Sequence, residues 1–186
     1  MSEIVEKVRK HMEEECKKES NFFGMDAYTH HFISVVKYAK QLAKERGADM
    51  EIVEISAWLH DIGSIYGDYD NHHVSGGKYS EKILLEYGYP LEKIEKVKHC
   101  ILAHRGSRTI ARETVEAECI ADADALSHFD NLSSLFNLAL VRRKLNIDDA
   151  KTFVRDKLER SWNKLTPKAK EIIKSKYEAA MLLLKE

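Results

Sequence analysis

With 186 residues, 44% of them hydrophobic, the chain is long enough for one domain with a sizeable core. Lysine and arginine number 30 against 31 acidic residues, a net charge of −1. That balance excludes a nucleic-acid binder working through a broad basic face, but not a small phosphate-bearing ligand held by a local cluster. The first helix is expected over residues 2 to 19, where Ile4, Val5, Val8 and Met12 recur among charges. These residues have no signal-peptide character, and no apolar run approaches the roughly 20 residues that cross a bilayer. A cytoplasmic protein without a membrane partner is therefore expected.

The stretch NFFGMDAY breaks the helical period and reads as a loop. A second helix runs from about Tyr28 to Arg46 and stops at Gly47. Asp49 is the expected N-cap of a third, which passes through Trp58 to Asp61 and ends at Gly63. SIYGDYDN follows as an aromatic, glycine-containing loop. A fourth helix covers His72 to Tyr87, and a fifth starts at Pro90 and runs to His104, ending near Gly106. The sixth spans roughly Thr114 to His128, with further helices near 130–143, 147–163 and 167–185. Thr166 is placed as N-cap of the last, with Pro167 in its first turn. No segment alternates strongly enough for a strand, and no linker or repeat is visible. The fold class expected is all-α, a single domain over 1–186.

Three cysteines, Cys16, Cys100 and Cys119, form no CxxC pair and read as buried free thiols. The chemistry-bearing residues are histidines and aspartates. His60 and Asp61 close an apolar helix in AWLHDIG. His31 continues the stripe Val35, Ala39, Leu42, whereas its neighbour His30 is rotated away. Asp124 lies in CIADADALSHF among apolar residues, and a carboxylate there needs a cation or strong donors. Asp122 and Asp124 could also form a solvated turn. His104 follows Ile94, Val97 and Ile101 along one face, while His99 falls on the charged side. His72 and His73 make nearly equivalent stripes that periodicity does not separate. Gly76, Gly77 and Ser80 would let another helix, or a ligand, come close. An inward set of His and Asp suits a divalent metal with N and O ligands.

In order and separation, His31 with Val35 and Ala39, LHDIG, HHVSGG, ILAHRG and ADADAL resemble the HD-domain superfamily of metal-dependent phosphohydrolases, over about residues 26–130. Small stand-alone HD hydrolases are the most similar branch. The resemblance implies an all-helical bundle around a central metal held by His31, His60, Asp61 and Asp124. Asp124 rather than Asp122 precedes the small residue and Leu of the family's pattern. Members with two metals use two further histidines, whose places here are taken by His72 and His104, with Asp61 able to bridge. The chain lacks a GYP element and carries Arg105 after His104, which departs from the cyclic-dinucleotide phosphodiesterase branch and leaves the metal count open at one or two.

The implied activity is a phosphatase or phosphodiesterase acting on a nucleotide or other small phosphoester through an activated water. The ion is manganese, iron, cobalt, nickel, zinc or magnesium. Asp61 is the candidate catalytic residue, orienting or deprotonating that water. Arg105, Arg108 and Lys78 are candidate phosphate contacts, suited to it by charge and, for arginine, a planar fork, though each first reads as a solvated surface residue. Tyr66 or Tyr69 could stack on a base. The competing reading is a catalytically silent regulatory module that binds metal or nucleotide. Residues 131–186 read as amphipathic helices with a solvated Glu and Lys face, packing on the core or forming a homo-oligomer contact.

Overall fold

The computed structural model of the protein describes residues 2–105 and 110–185. Helix α1 (Glu3–Lys17) buries Val5, Val8, Met12 and Cys16 at helical spacing. The Asn21 side chain then donates to the carbonyls of Cys16 (3.2 Å) and Gly24 (3.1 Å), folding the chain back. The expected loop is shorter than its sequence suggests. The chain is already wound at Ala27, in a π-helical turn (Ala27–Phe32) that passes directly into α2 (Ile33–Arg46). Gly47 ends α2 in the left-handed conformation, as expected.

Helix α3 (Met50–Leu59) starts on Asp49, whose carboxylate accepts from the Glu51 and Ile52 amides. It stops at Leu59 rather than at Gly63, because the chain kinks at His60–Asp61 before a one-turn helix, α4 (Ile62–Ile65). Gly63 lies inside that turn, where its missing side chain has a different use. A Cβ there would sit 2.5 Å from the His72 carbonyl oxygen and 2.6 Å from Ser75 Oγ. Only glycine lets α5 (His72–Glu86) begin this close to the His-Asp kink. Helix α6 (Leu91–Ala103) packs along α5, and the close approach expected at Gly76 is met by Ile101 of α6.

Helix α7 (Val115–Asp130) is the central element. Nearly every residue from Ala117 to Phe129 is buried, with alanines at 121, 123 and 125. Helices α2, α3 and α6 pack against it, so it carries apolar contacts on all sides rather than along one stripe. Short α8 (Leu132–Asn137) runs into a second π-helical turn (Leu138–Arg142). Helices α9 (Ile147–Lys164) and α10 (Pro167–Leu183) then fold back onto α7. Thr166 caps α10 with Pro167 in its first turn, as expected. The three cysteines are buried and free. Among the described residues there is no strand, and no helix is long and apolar enough to cross a membrane.

Asp122 is not part of a solvated turn. It is 0% exposed and accepts from Arg46 Nη2 (2.6 Å), the Thr166 amide (2.9 Å) and the Thr166 hydroxyl (2.6 Å). It thus ties α2, α7 and the start of α10 together. Asp122→Ala is expected to destabilise the fold by about 3 kcal/mol or more, because Arg46 and the Thr166 amide lose their buried partner. Urea unfolding measures this, and a loss under about 1 kcal/mol would contradict it.

Candidate metal centre

His60 caps the C-terminus of α3, where the last helical carbonyls are free to accept, and its Nδ1 bonds to the Ala57 oxygen at 2.9 Å. His104 stands in the same relation to α6, with Nδ1 2.6 Å from the Ile101 oxygen. His72 opens α5, and its Nδ1 reaches the Tyr69 oxygen at 2.8 Å. A carbonyl only accepts, so all three rings carry their hydrogen on Nδ1. His31 sits inside a continuous helical run with no free carbonyl beneath it, and Ser127 serves instead. The Ser127 hydroxyl donates to the Asp124 carbonyl (2.7 Å), so at 3.2 Å its oxygen accepts from His31 Nδ1. All four histidines therefore present an Nε2 lone pair.

These lone pairs converge. His31 and His60 place their Nε2 atoms 3.1 Å apart, and His72 and His104 place theirs 3.3 Å apart. Asp61 stands between the two pairs. Its Oδ2 is 3.4 Å from His31 Nε2 and 3.6 Å from His60 Nε2, while its Oδ1 is 3.4 Å from His72 Nε2 and 3.6 Å from His104 Nε2. Asp124 Oδ1 completes the first half at 3.7 Å from His31 Nε2 and 3.9 Å from His60 Nε2. Two sets of ligand atoms result: His31, His60 and Asp124, and Asp61, His72 and His104. Facing lone pairs repel unless a proton or cation lies between them. Burial pushes the His60 imidazole down to about 4 against the pull of Asp61, which makes a proton on His60 a poor answer at neutral pH. A divalent ion fits the donor set.

Burial would raise both carboxylates, yet both are held well below the usual range. For Asp61 the opposing pull is that of His60, then His104 and His31, in their protonated forms; for Asp124 it is Lys164 first, then protonated His128 and His60. Lys164 pairs directly with Asp124 Oδ2.

The centre forms one wall of a cavity of about 750 Å³. Around the same cavity α9 presents Lys157, Arg160 and Lys164, joined by Arg142 and Arg143, and Phe23, Tyr69 and Phe153 line it as well. The solvated face expected for the C-terminal helices is thus only partly solvated. Sequence reading missed Lys157, Arg160, Ser161 and Lys164, whose i, i+3, i+4, i+7 spacing marks one face of α9. It also missed His128, one turn beyond Asp124.

Of the candidate phosphate contacts, Arg105 lines the cavity and bonds the Asp70 carbonyl. Lys78 is exposed and away from the cavity; six residues beyond His72, it points about 240° round the helix. Arg108 lies outside the described residues. Tyr69 lines the cavity, whereas Tyr66 packs edge-on against Tyr79 beside α1. Of the ambiguous pair, His72 joins Asp61 and His104 in the second group that could hold a metal, and His73 is buried outside it.

The family model described as "HD domain" matches residues 28–128. A Clostridium beijerinckii protein described as uncharacterised is 37% identical over 84 residues, 42% of this chain and 53% of that protein. Ribonuclease Y of Fusobacterium nucleatum is 34% identical over 107 residues, 56% of this chain and 19% of that enzyme. The chain thus spans about half the length of one of these relatives and a fifth of the other. Among solved structures, Bacillus subtilis YpgQ in complex with ADP superposes with a TM-score of 0.71 at 22% identity, covering 96% of this chain and 92% of YpgQ. A predicted HD superfamily hydrolase from an uncultured Thermotogales bacterium gives 0.57 at 20% identity, covering 83% and 84%. At these identities the two structures establish the shared fold.

Proposed function

The chain belongs to the HD-domain family, and on that premise we propose that it is a phosphohydrolase, a phosphatase or phosphodiesterase for a nucleotide or other small phosphoester. The observation that carries this reading is the convergence of four Nε2 lone pairs on two carboxylates beside a cation-lined cavity. His31, His60, Asp61 and Asp124 would hold one divalent ion, and His72 and His104, sharing Asp61, a second. When bound, such an ion lowers the pKa of a water toward ~7 and polarises the phosphoryl oxygens. Asp61 is the proposed catalytic carboxylate, its two oxygens each turned to one half of the site. Lys157, Arg160 and Arg105 would take the phosphate charge, arginine through its planar fork. Tyr69 and Phe23 offer the apolar end that a base would use. The ADP bound by YpgQ, on the same fold, supports a nucleotide-sized ligand. The buried free thiols agree with a reducing cytosol.

The test is a panel of nucleotides and simple phosphoesters with Mn, Fe, Co, Ni, Zn or Mg added singly. Ion-dependent release of phosphate or nucleotide is expected. No turnover of any compound by the ion-loaded protein would favour the silent regulatory module. On whichever substrate turns over, Arg160→Ala is expected to raise KM about tenfold while leaving the fold intact, since the side chain is exposed at the cavity. An unchanged KM would remove Arg160 from the phosphate contacts.

A further inference from the structure

His128 is used by none of the roles above, yet it is built into the site as carefully as the four other histidines. Its Nδ1 lies 3.0 Å from Ser161 Oγ. The Ser161 hydroxyl spends its hydrogen on the Lys157 carbonyl at 2.9 Å, so Ser161 accepts from His128 and the ring hydrogen is fixed on Nδ1. This repeats the Ser127 relay beneath His31, and the two rings stack at 5.5 Å with 20° between their planes. In the neutral ring Nε2 is then an acceptor, at the cavity wall and 3.8 Å from Asp124 Oδ1. His128 belongs to neither set of ligand atoms that lie within 4.8 Å of one another.

Two acceptors 3.8 Å apart make no direct hydrogen bond, but they suit one small donor placed between them. A phosphate ester oxygen carries no hydrogen for that place, whereas water carries two. We propose that His128 is a catalytic residue that, with Asp124, holds the attacking water by accepting one of its hydrogens. Both hydrogens of such a water point into the protein wall, so its lone pairs face the cavity. In hydrolysis its oxygen forms the new P–O bond and the ester P–O bond breaks onto the leaving oxygen. One of its protons ends on that oxygen and the other on the phosphate product. His128 keeps neither; its part is to fix the direction of attack.

This proposal rests on the hydrolase reading, and its test separates the two. His128→Phe keeps the ring and removes both nitrogens, while His128→Gln returns an acceptor near the position of Nε2. His128→Phe is expected to lower kcat about 100-fold, with KM and metal content per chain within twofold of the parent. His128→Gln is expected to recover at least a tenth of parental kcat. A crystal structure of the manganese-loaded parent is expected to place a water within hydrogen-bond distance of both His128 Nε2 and Asp124 Oδ1; that observation depends on neither variant folding nor on activity. A kcat within threefold of the parent in a folded His128→Phe variant would overturn the role of His128. So would loss of metal in that variant, or a high-resolution parent structure with no such water. An inactive parent would instead overturn the hydrolase reading.

Discussion

Asp61→Asn is expected to lower kcat/KM by about four orders of magnitude, the largest effect of any single substitution in the chain. The exchange keeps the shape of the side chain and removes only its charge. Among the described residues Asp61 is the one carboxylate that turns an oxygen to each histidine pair, Oδ2 to His31 and His60 and Oδ1 to His72 and His104. Its loss therefore weakens both halves of the site at once. Metal activation of water and phosphoryl group contributes several kcal/mol to barrier lowering, and about 5.5 kcal/mol corresponds to 10⁴ in rate. His72→Ala, which touches one half only, should cost less. Steady-state hydrolysis by each variant at saturating metal, with circular dichroism to confirm the fold, measures the difference. An Asp61→Asn enzyme within tenfold of the parent would show that this carboxylate is not central.

Removal of metal is the second large effect. Without an ion the His31–His60 and His72–His104 lone pairs face each other at 3.1 and 3.3 Å around two carboxylates. An ion that binds only the folded chain stabilises it by about 4 kcal/mol at a thousandfold excess over its Kd. For a chain of this size each kcal/mol moves Tm by about 2–4 °C. Chelation is thus expected to lower Tm by about 8–16 °C, reversed on adding metal back. In His31→Ala the response to chelator should shrink sharply. A parent whose Tm is indifferent to chelator and to every added transition metal would contradict the site.

Much of this centre was legible because helix periodicity and local polarity point the same way. His31 in line with Val35 and Ala39, the His60-Asp61 pair at the end of an apolar run, and Asp124 among alanines are polar groups where apolar ones belong. The structure brings His31, Asp61 and Asp124 to the cavity wall, with His60 fully buried behind it and its Nε2 3.1 Å from that of His31. Periodicity did not choose His72 over His73; the family's pattern did, and in the fold α5 begins close to the kink after α3, an approach that Gly63 permits. Boundaries near the site were the least legible. The π-helical turn under His31 and the break at His60 answer to tertiary packing rather than to local propensity. The cations of α9 were hidden for a different reason. Lys157 and Lys164 look like any solvated lysine in sequence, and only the return of α9 across α7 turns them toward Asp124. Asp122, two residues away and chemically identical to Asp124, proves to be a structural anchor because Arg46 and Thr166 reach it first.

Metal content per chain, by plasma mass spectrometry on protein purified without a nickel column or chelator, tests the centre most directly. One to two equivalents of a transition metal are expected, falling below half an equivalent when His60 and Asp61 are replaced together. A metal-free chain that takes up none of Mn, Fe, Co, Ni or Zn on addition would contradict the centre and leave the helical fold without its proposed chemistry.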